Sequence, residues 1–136
     1  MKWVTSEIVV RYVECDSMGI VHHSHYLNWF EIGRIELAQV AGVDFHRLHQ
    51  VLTLPVIDLE CRYKQSAKFG DTILVETALE LSNKPMLIFH YKVRRKRGKV
   101  LLVQGKTQHV FLDKDIGLLL KIPKDIDNKI KTFLRS

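Results

Sequence analysis

Residues 1–10 alternate between polar and apolar side chains, and residues 7–13 (EIVVRYV) are rich in β-branched and aromatic types, so a strand is predicted there. The run Cys-Asp-Ser-Met-Gly breaks it, with Gly19 as the turn residue. The period then changes to that of a helix over 23–40. Leu27, Phe30, Leu37, Ala38 and Ala41 lie close to one stripe at about 100° per residue, and Trp29, Ile32, Ile35 and Val40 cover much of the remaining circumference. A helix apolar around most of its circumference is a buried one, which in a chain this short predicts a sheet curving around it. Gly42 ends the helix, and a short helical piece over 44–51 leads to Pro55.

Four strand-like runs follow. Ile57, Leu59, Cys61 and Tyr63 alternate with charged neighbours; the second run covers 72–81; the third sets Leu87, Phe89, Tyr91 and Val93 against a polar face; the fourth covers 100–113 after a turn at Arg97-Gly98. Short connections make the last three antiparallel neighbours. After Pro123, Ile126, Ile130, Phe133 and Leu134 form the apolar stripe of a closing helix, with Asp125 and Asp127 in its first turn. One early helix followed by a cluster of strands predicts an α+β class, and the absence of any repeat or linker makes residues 1–136 a single domain.

Composition narrows the picture only a little. The 46% apolar content supplies a core and excludes a disordered chain. No apolar run reaches the ~18–20 residues that a membrane-spanning helix needs, so no transmembrane segment is expected. Residues 1–10 read as a strand rather than the apolar stretch of a secretion signal. Cys15 and Cys61 stand apart, so reduced thiols and a cytoplasmic location are expected. A net charge of +6 favours anionic partners without naming one.

The candidate chemistry lies within VRYVECDSMGIVHHSHYLNWFEIGR at 10–34: a strand, a glycine-containing loop with an acid, and the start of the helix. An acid at that junction sits beside the unpaired N–H groups of a helix N-terminus, which stabilise a carbonyl oxygen gaining negative charge. Acyl transfer needs a carboxylate in such a place, and a thioester suits it because a thiolate leaves with little protonation. On the loop alone, Asp16 reads more readily as a turn or capping residue than as a catalytic one.

The spacing Asp16-x-x-Gly19-x-Val21-x-His23-x-x-Tyr26, followed by Trp29-Phe30-Glu31, resembles the 4-hydroxybenzoyl-CoA thioesterase family. Within that family it is most similar to the bacterial acyl-CoA thioesterases associated with the Tol–Pal gene cluster. The stretch YKQSAKFGD at 63–71, the alternating hairpins, GKTQHV from Gly105 and the helix after Pro123 also fall where that family has them. The resemblance implies a hotdog fold, an antiparallel sheet wrapped around one long central helix. It implies a homodimer or homotetramer with active sites at the dimer interface, and no cofactor. Asp16 takes the place of the catalytic carboxylate, as nucleophile or as general base on water. Tyr12 and His23 complete the site, and the backbone N–H near His23 polarises the thioester carbonyl. Gly19 shapes the loop, and Val21, Tyr26 and Trp29 fall at substrate-binding positions, with Tyr26 and Trp29 reading also as packing residues. Trp29, Phe30 and residues 45–54 are the expected lining of the acyl pocket. The expected substrate is an acyl-CoA, or an acyl carrier protein thioester; the alternative is a non-catalytic module that binds the same ligands.

Other constellations carry less. His22, His23 and His25 cluster, but adjacent histidines point apart and no further ligand stands at metal spacing, so no metal is expected. Cys15 has no base placed beside it. The basic run at 94–99 is expected to be a solvated hairpin tip rather than a nucleic-acid contact. That run, with Arg62, Lys64 and Lys68, is also a candidate for holding the CoA phosphates. Glu31 and Arg34, three apart on the helix, are expected to pair.

Overall fold

A computed structural model describes residues 1–136. The alternating runs form one antiparallel sheet in the order β1 (Trp3–Val9), β4 (Thr72–Leu81), β5 (Met86–Arg95), β6 (Val100–Val110) and β3 (Val56–Tyr63). Period-two patterning sends Ile73, Val75, Thr77 and Leu79 of β4 to the same buried face as Leu87, Phe89, Tyr91 and Val93 of β5. Thr77, Tyr91, Gly105 and Cys61 are register partners across four strands, so Cys61 belongs to that face, and Leu59 and Tyr63 alternate onto it as well.

The long helix α1 (His25–Val40) lies across this face. Phe30 stacks on Tyr91 with ring centroids 4.2 Å apart and planes within 8°. Two glycines permit the close approach. A Cβ on Gly33 would stand 2.1 Å from Thr77 Oγ1, and one on Gly105 would stand 2.5 Å from Phe30 Cζ. Glycine in a helix interior costs about 1 kcal/mol relative to alanine; at Gly33 that cost is offset by the contact it allows between helix and sheet. The closing helix α3 (Lys124–Arg135) buries Ile126, Ile130 and Phe133. A four-residue helix α2 (Phe45–Leu48) and a small sheet of β2 (Leu52–Thr53), β7 (Leu112–Asp113) and β8 (Gly117–Leu118) complete the chain. The hotdog fold and α+β class implied by the sequence are the ones observed.

Several details differ from the sequence reading. The fourth strand run ends at Val110, with Leu112–Asp113 joining the small sheet, and the helical piece expected over 44–51 is confined to Phe45–Leu48. The first strand stops at Val9 and does not reach Val13, because Tyr12–Glu14 turn into a short 3-10 helix closed by the Glu14 carboxylate on the Arg11 N–H at 2.8 Å. The helix starts at His25 rather than His23. It is also not buried all round: Tyr26, Trp29, Phe30, Gly33, Leu37 and Ala38 are covered, whereas Ile32, Ile35 and Val40 are 42, 42 and 55% exposed. The helix packs chiefly over β4 and β1, leaving the inner face of β3 open, with Leu59 and Tyr63 at 43 and 48% exposure.

Candidate active site

Beyond Val10 the chain leaves the sheet and builds a loop from local hydrogen bonds. Cys15 and Val21 form a bridge, as do Ile20 and Lys68. Asp16 N–H donates to the Ile20 carbonyl at 2.8 Å, and Gly19 N–H donates to the Asp16 carbonyl at 3.0 Å. Gly19 holds φ at +79°, a left-handed conformation that glycine adopts without steric cost. Asp16 Oδ1 accepts from the N–H groups of Met18 at 2.8 Å and Ile20 at 3.4 Å, which fixes the carboxylate; Oδ2 makes no hydrogen bond within the chain.

Beneath the loop lies an anchor that the sequence reading missed. Glu14 is 4% exposed, and its Oε2 accepts from the indole Nε1 of Trp29 at 2.8 Å. Burial pushes this carboxyl up, but the Arg11 N–H, the Trp29 indole and the Arg11 guanidinium outweigh it and hold the group below its usual range. The Glu14 carbonyl accepts from His22 N–H at 3.0 Å, so one residue ties the loop both to the turn before α1 and to α1 itself. The only sequence signal for this role is an acid inside an otherwise apolar strand-like run.

The start of α1 has no side-chain cap, and the backbone N–H of His23 makes no hydrogen bond within the chain. The His23 carbonyl accepts from the Tyr63 hydroxyl at 2.9 Å, and the Tyr26 hydroxyl accepts from Ala67 N–H at 2.9 Å. Burial raises the Tyr26 hydroxyl, and burial together with the neighbouring Cys61 thiol pushes Tyr63 up to about 12. Both phenols therefore stay protonated and act as fixed hydrogen-bonding groups.

Asp16, Val21, His23 and Tyr26 line one cavity of about 280 Å³, together with Tyr63 and Lys64 from the end of β3. Tyr63 was read from sequence only as a strand residue. Tyr12 and Gly19 stand on the other side of Asp16, in an open groove of about 430 Å³ that Phe69 also lines. Tyr12 is not on a strand; it is 80% exposed and meets Phe69 edge-to-face at 5.7 Å. Trp29 lines neither depression. At 1% exposure it sits in the core, where its indole fixes Glu14, and this corrects its expected position against the substrate.

A second cavity, of about 380 Å³, lies toward the far end of α1. Arg34, Ile35, Phe45, Leu54, Phe89 and His109 line it, so part of the 45–54 segment surrounds a cavity, whereas Phe30 is wholly buried. Arg34 does not pair with Glu31. Its Nη1 donates to the Tyr91 hydroxyl at 3.2 Å, which lies 2.6 Å from Thr107 Oγ1, and Thr107 Oγ1 lies 2.9 Å from His109 Nε2. His109 Nδ1 stands 3.0 Å from the Leu54 carbonyl. Guanidinium can only donate and a carbonyl can only accept, which fixes the direction of the chain. Burial lowers the His109 imidazole and keeps it neutral, with the proton on Nδ1. Thr107 then donates to Nε2, Tyr91 donates to Thr107, and Arg34 donates to Tyr91.

The basic run is largely neutralised. Arg94 pairs with Glu76 at 2.8 Å, Arg95 with Asp71 at 3.1 Å and Lys96 with Glu7 at 2.8 Å. No helix is long and apolar enough to cross a membrane.

Residues 10–130 match the model of the thioesterase-like superfamily. YneP of Bacillus subtilis, by its name a candidate acyl-CoA thioesterase, is 34% identical over 110 residues, covering 80% of this chain and 79% of its own. The crystal structure of the hypothetical protein TT1821 from Thermus thermophilus is 35% identical with a TM-score of 0.85, covering 95% of this chain and 98% of that one. Slr0204 of Synechocystis, a 1,4-dihydroxy-2-naphthoyl-CoA thioesterase, shares the fold at a TM-score of 0.88 and 17% identity, with 96% of each chain covered. On the family match and these likenesses, the chain belongs to the thioesterase-like superfamily.

Proposed function

We propose that the protein is an acyl-CoA thioesterase that hydrolyses R–CO–S–CoA to a carboxylic acid and the free CoA thiol at the cavity beside Asp16. The observation that carries this reading is that one cavity is lined by Asp16, whose carboxylate keeps a free oxygen, and by His23, whose backbone N–H at the start of α1 is unpaired. That N–H and the positive end of the helix stabilise the oxyanion formed when the carbonyl carbon is attacked.

Two routes use the same carboxylate. In one, Asp16 takes a proton from water as its oxygen adds to the carbonyl carbon; the C–S bond then breaks and CoA leaves as thiolate. In the other, Asp16 itself attacks, expels the thiolate to give a mixed anhydride, and water cleaves the anhydride. Label from isotopic water found in Asp16 after a single turnover marks the anhydride route. His23 flanks the carboxylate inside the cavity, Tyr12 borders the groove on its other side, and Gly19 holds the turn. Val21 and Tyr26 form the wall, and Lys64 offers a cation to CoA phosphate. The likeness to the Tol–Pal-associated enzymes rests on the Asp16-to-Tyr26 spacing, and the acyl-CoA substrate is supported by the name of YneP.

The working unit in this reading is a homodimer, with pairing of dimers into a homotetramer as a further step. β3 is a sheet edge, pairing only with β6, and it exposes Val56, Ile57, Leu59 and Tyr63 at 44, 54, 43 and 48%. An unpaired edge of that length, apolar on its inner face, is a template for another strand. Antiparallel pairing of β3 with β3 of a second copy covers it, together with Ile32 and Ile35 of α1. Cys15 and Cys61 are free thiols, in keeping with a cytoplasmic enzyme.

Thiol release from a panel of short, long and aromatic acyl-CoAs tests the reading, and turnover of at least one is expected. No release from that panel, nor from the matching acyl carrier protein thioesters, would overturn it in favour of a binding module.

A further inference from the structure

We propose that the second cavity is a carboxylate-binding pocket built on Arg34, and that it selects acyl groups ending in a carboxylate. The protein has three half-buried arginines, Arg34, Arg94 and Arg95. Arg94 and Arg95 each hold a carboxylate, at 2.8 and 3.1 Å. Arg34 holds only the neutral Tyr91 hydroxyl, with no carboxylate within 4.0 Å. Charges withdrawn from water are ordinarily paired, so a half-buried guanidinium without an anion points to a partner that arrives from outside the chain.

The surroundings define that partner. Tyr91, Thr107 and His109 satisfy one another and the Leu54 carbonyl in a one-way chain, so none of them competes for the ligand. Arg34 keeps Nε and Nη2 free, and a planar guanidinium edge matches the two oxygens of a carboxylate. Ile35, Phe45, Leu54 and Phe89 form an apolar wall of the cavity against which the chain that leads to it packs. Glu31 and Asp44 also line the cavity, but both are exposed, and Asp44 Oδ1 is committed to the N–H groups of His46 and Arg47 at 3.0 and 3.2 Å.

Selection of an acyl group rests on the thioesterase reading and on its β3-paired dimer. Leu54 and His109 lie at the Val56 end of β3, whereas the Asp16 cavity lies at the Tyr63 end, roughly 23 Å away along the strand at 3.3 Å per residue. A two-fold axis through the middle of paired β3 strands brings the Asp16 cavity of one copy to the Arg34 cavity of the other. The thioester then sits in one protomer and the end of its acyl chain in the partner.

Two readouts on the full-length protein and on Arg34→Met and Arg34→Gln test the pocket. Gln retains an N–H donor for Tyr91 without the charge, so it separates lost recognition from lost folding. The first readout is NMR titration with hexanoate, and with hexanamide as the uncharged probe of equal length. Hexanoate is expected to bind the parent and to bind both variants at least about tenfold more weakly, a difference of about 1.4 kcal/mol, while hexanamide does not discriminate among the proteins. The second is kcat/KM for adipoyl-CoA relative to hexanoyl-CoA, expected to favour adipoyl-CoA at least about tenfold in the parent and to fall near parity in the variants. Hexanoate binding that is absent, or equal in all three proteins, would overturn the proposal. Hydrolysis of both thioesters without preference would also overturn it while leaving the thioesterase standing. Arg34-dependent hexanoate binding with no hydrolysis of any thioester would instead support the pocket and remove the thioesterase reading. If the variants lose the dimer and hexanoate does not bind, the missing carboxylate belongs to the second copy, and the pocket proposal fails.

Discussion

The cavity at the start of α1 is made from irregular backbone, and the one toward its far end from helix and strand. Around Asp16, the carboxylate caps its own loop, and Glu14 and Tyr63 brace the turn from below. Around Arg34, the polar groups come from α1, β5 and β6 and form one buried chain. Loops expose backbone N–H groups and reactive oxygens, which chemistry needs. Regular elements fix side chains in place, which recognition needs. On the proposed reading, one helix carries reactivity at its open end and a rigid binding wall farther along.

The largest effect expected from breaking this division is Thr107→Val. It leaves the Tyr91 O–H without an acceptor and His109 Nε2 without a donor at once, at ~1–3 kcal/mol each, so denaturant unfolding is expected to show a loss of ~2–6 kcal/mol. Trp29→Phe removes the donor from buried Glu14 and is expected to cost ~1–3 kcal/mol. Its signature is different, because turnover should fall along with stability as the Asp16 loop loosens. If Thr107→Val lowers turnover of a simple acyl-CoA as much as Trp29→Phe does, the two cavities are not separate in role.

Acid sharpens the contrast further. His109 is held below its ordinary value of 6.5 and Glu14 below its ordinary value of 4.5. For both, the unfolded chain binds more protons than the folded one, so each contributes stability that is complete above the unfolded value and is lost as pH falls through the folded one. The His109 contribution therefore begins to erode near pH 6.5 and the Glu14 contribution only below about pH 4.5. Urea unfolding between pH 7.5 and 5 is expected to register a decline in the parent that flattens in His109→Gln. A decline of the same size in both would place its origin elsewhere. The smallest effect expected is that of His23→Ala, a loss of turnover of about tenfold or less; an unchanged rate would reduce His23 to its backbone.

The sequence made one of these cavities much more legible than the other, for a physical reason. The spacing from Asp16 to Tyr26 lies in one short segment, so its loop, glycine turn and helix start could be read in order. Glu14 and Trp29 are 15 residues apart and meet only because the loop folds back over the helix. Arg34 and Tyr91 are 57 apart, and nothing in the spacing of Glu31 and Arg34 reveals that the arginine turns to the sheet rather than to its helical neighbour. The alternation of β4 and β5 was plain because one face of each is buried. The apolar circumference of α1 was read correctly as residues but not as burial, since Ile32 and Ile35 remain open in a single chain. Strand β1 was set too late because the bonds that end it come from Glu14 and Asp71, which local propensity does not register.

The most direct test of the central claim is thiol release by Asp16→Asn, measured beside the parent on the best acyl-CoA of the panel. Asparagine preserves the size of the side chain and a carbonyl oxygen to accept from Met18 and Ile20, but it is neither a base nor a nucleophile of comparable strength. The expected result is a fall in kcat of about 10²–10⁴-fold with an unchanged unfolding midpoint. A folded Asp16→Asn protein that releases thiol at the parent rate would contradict catalysis by this carboxylate.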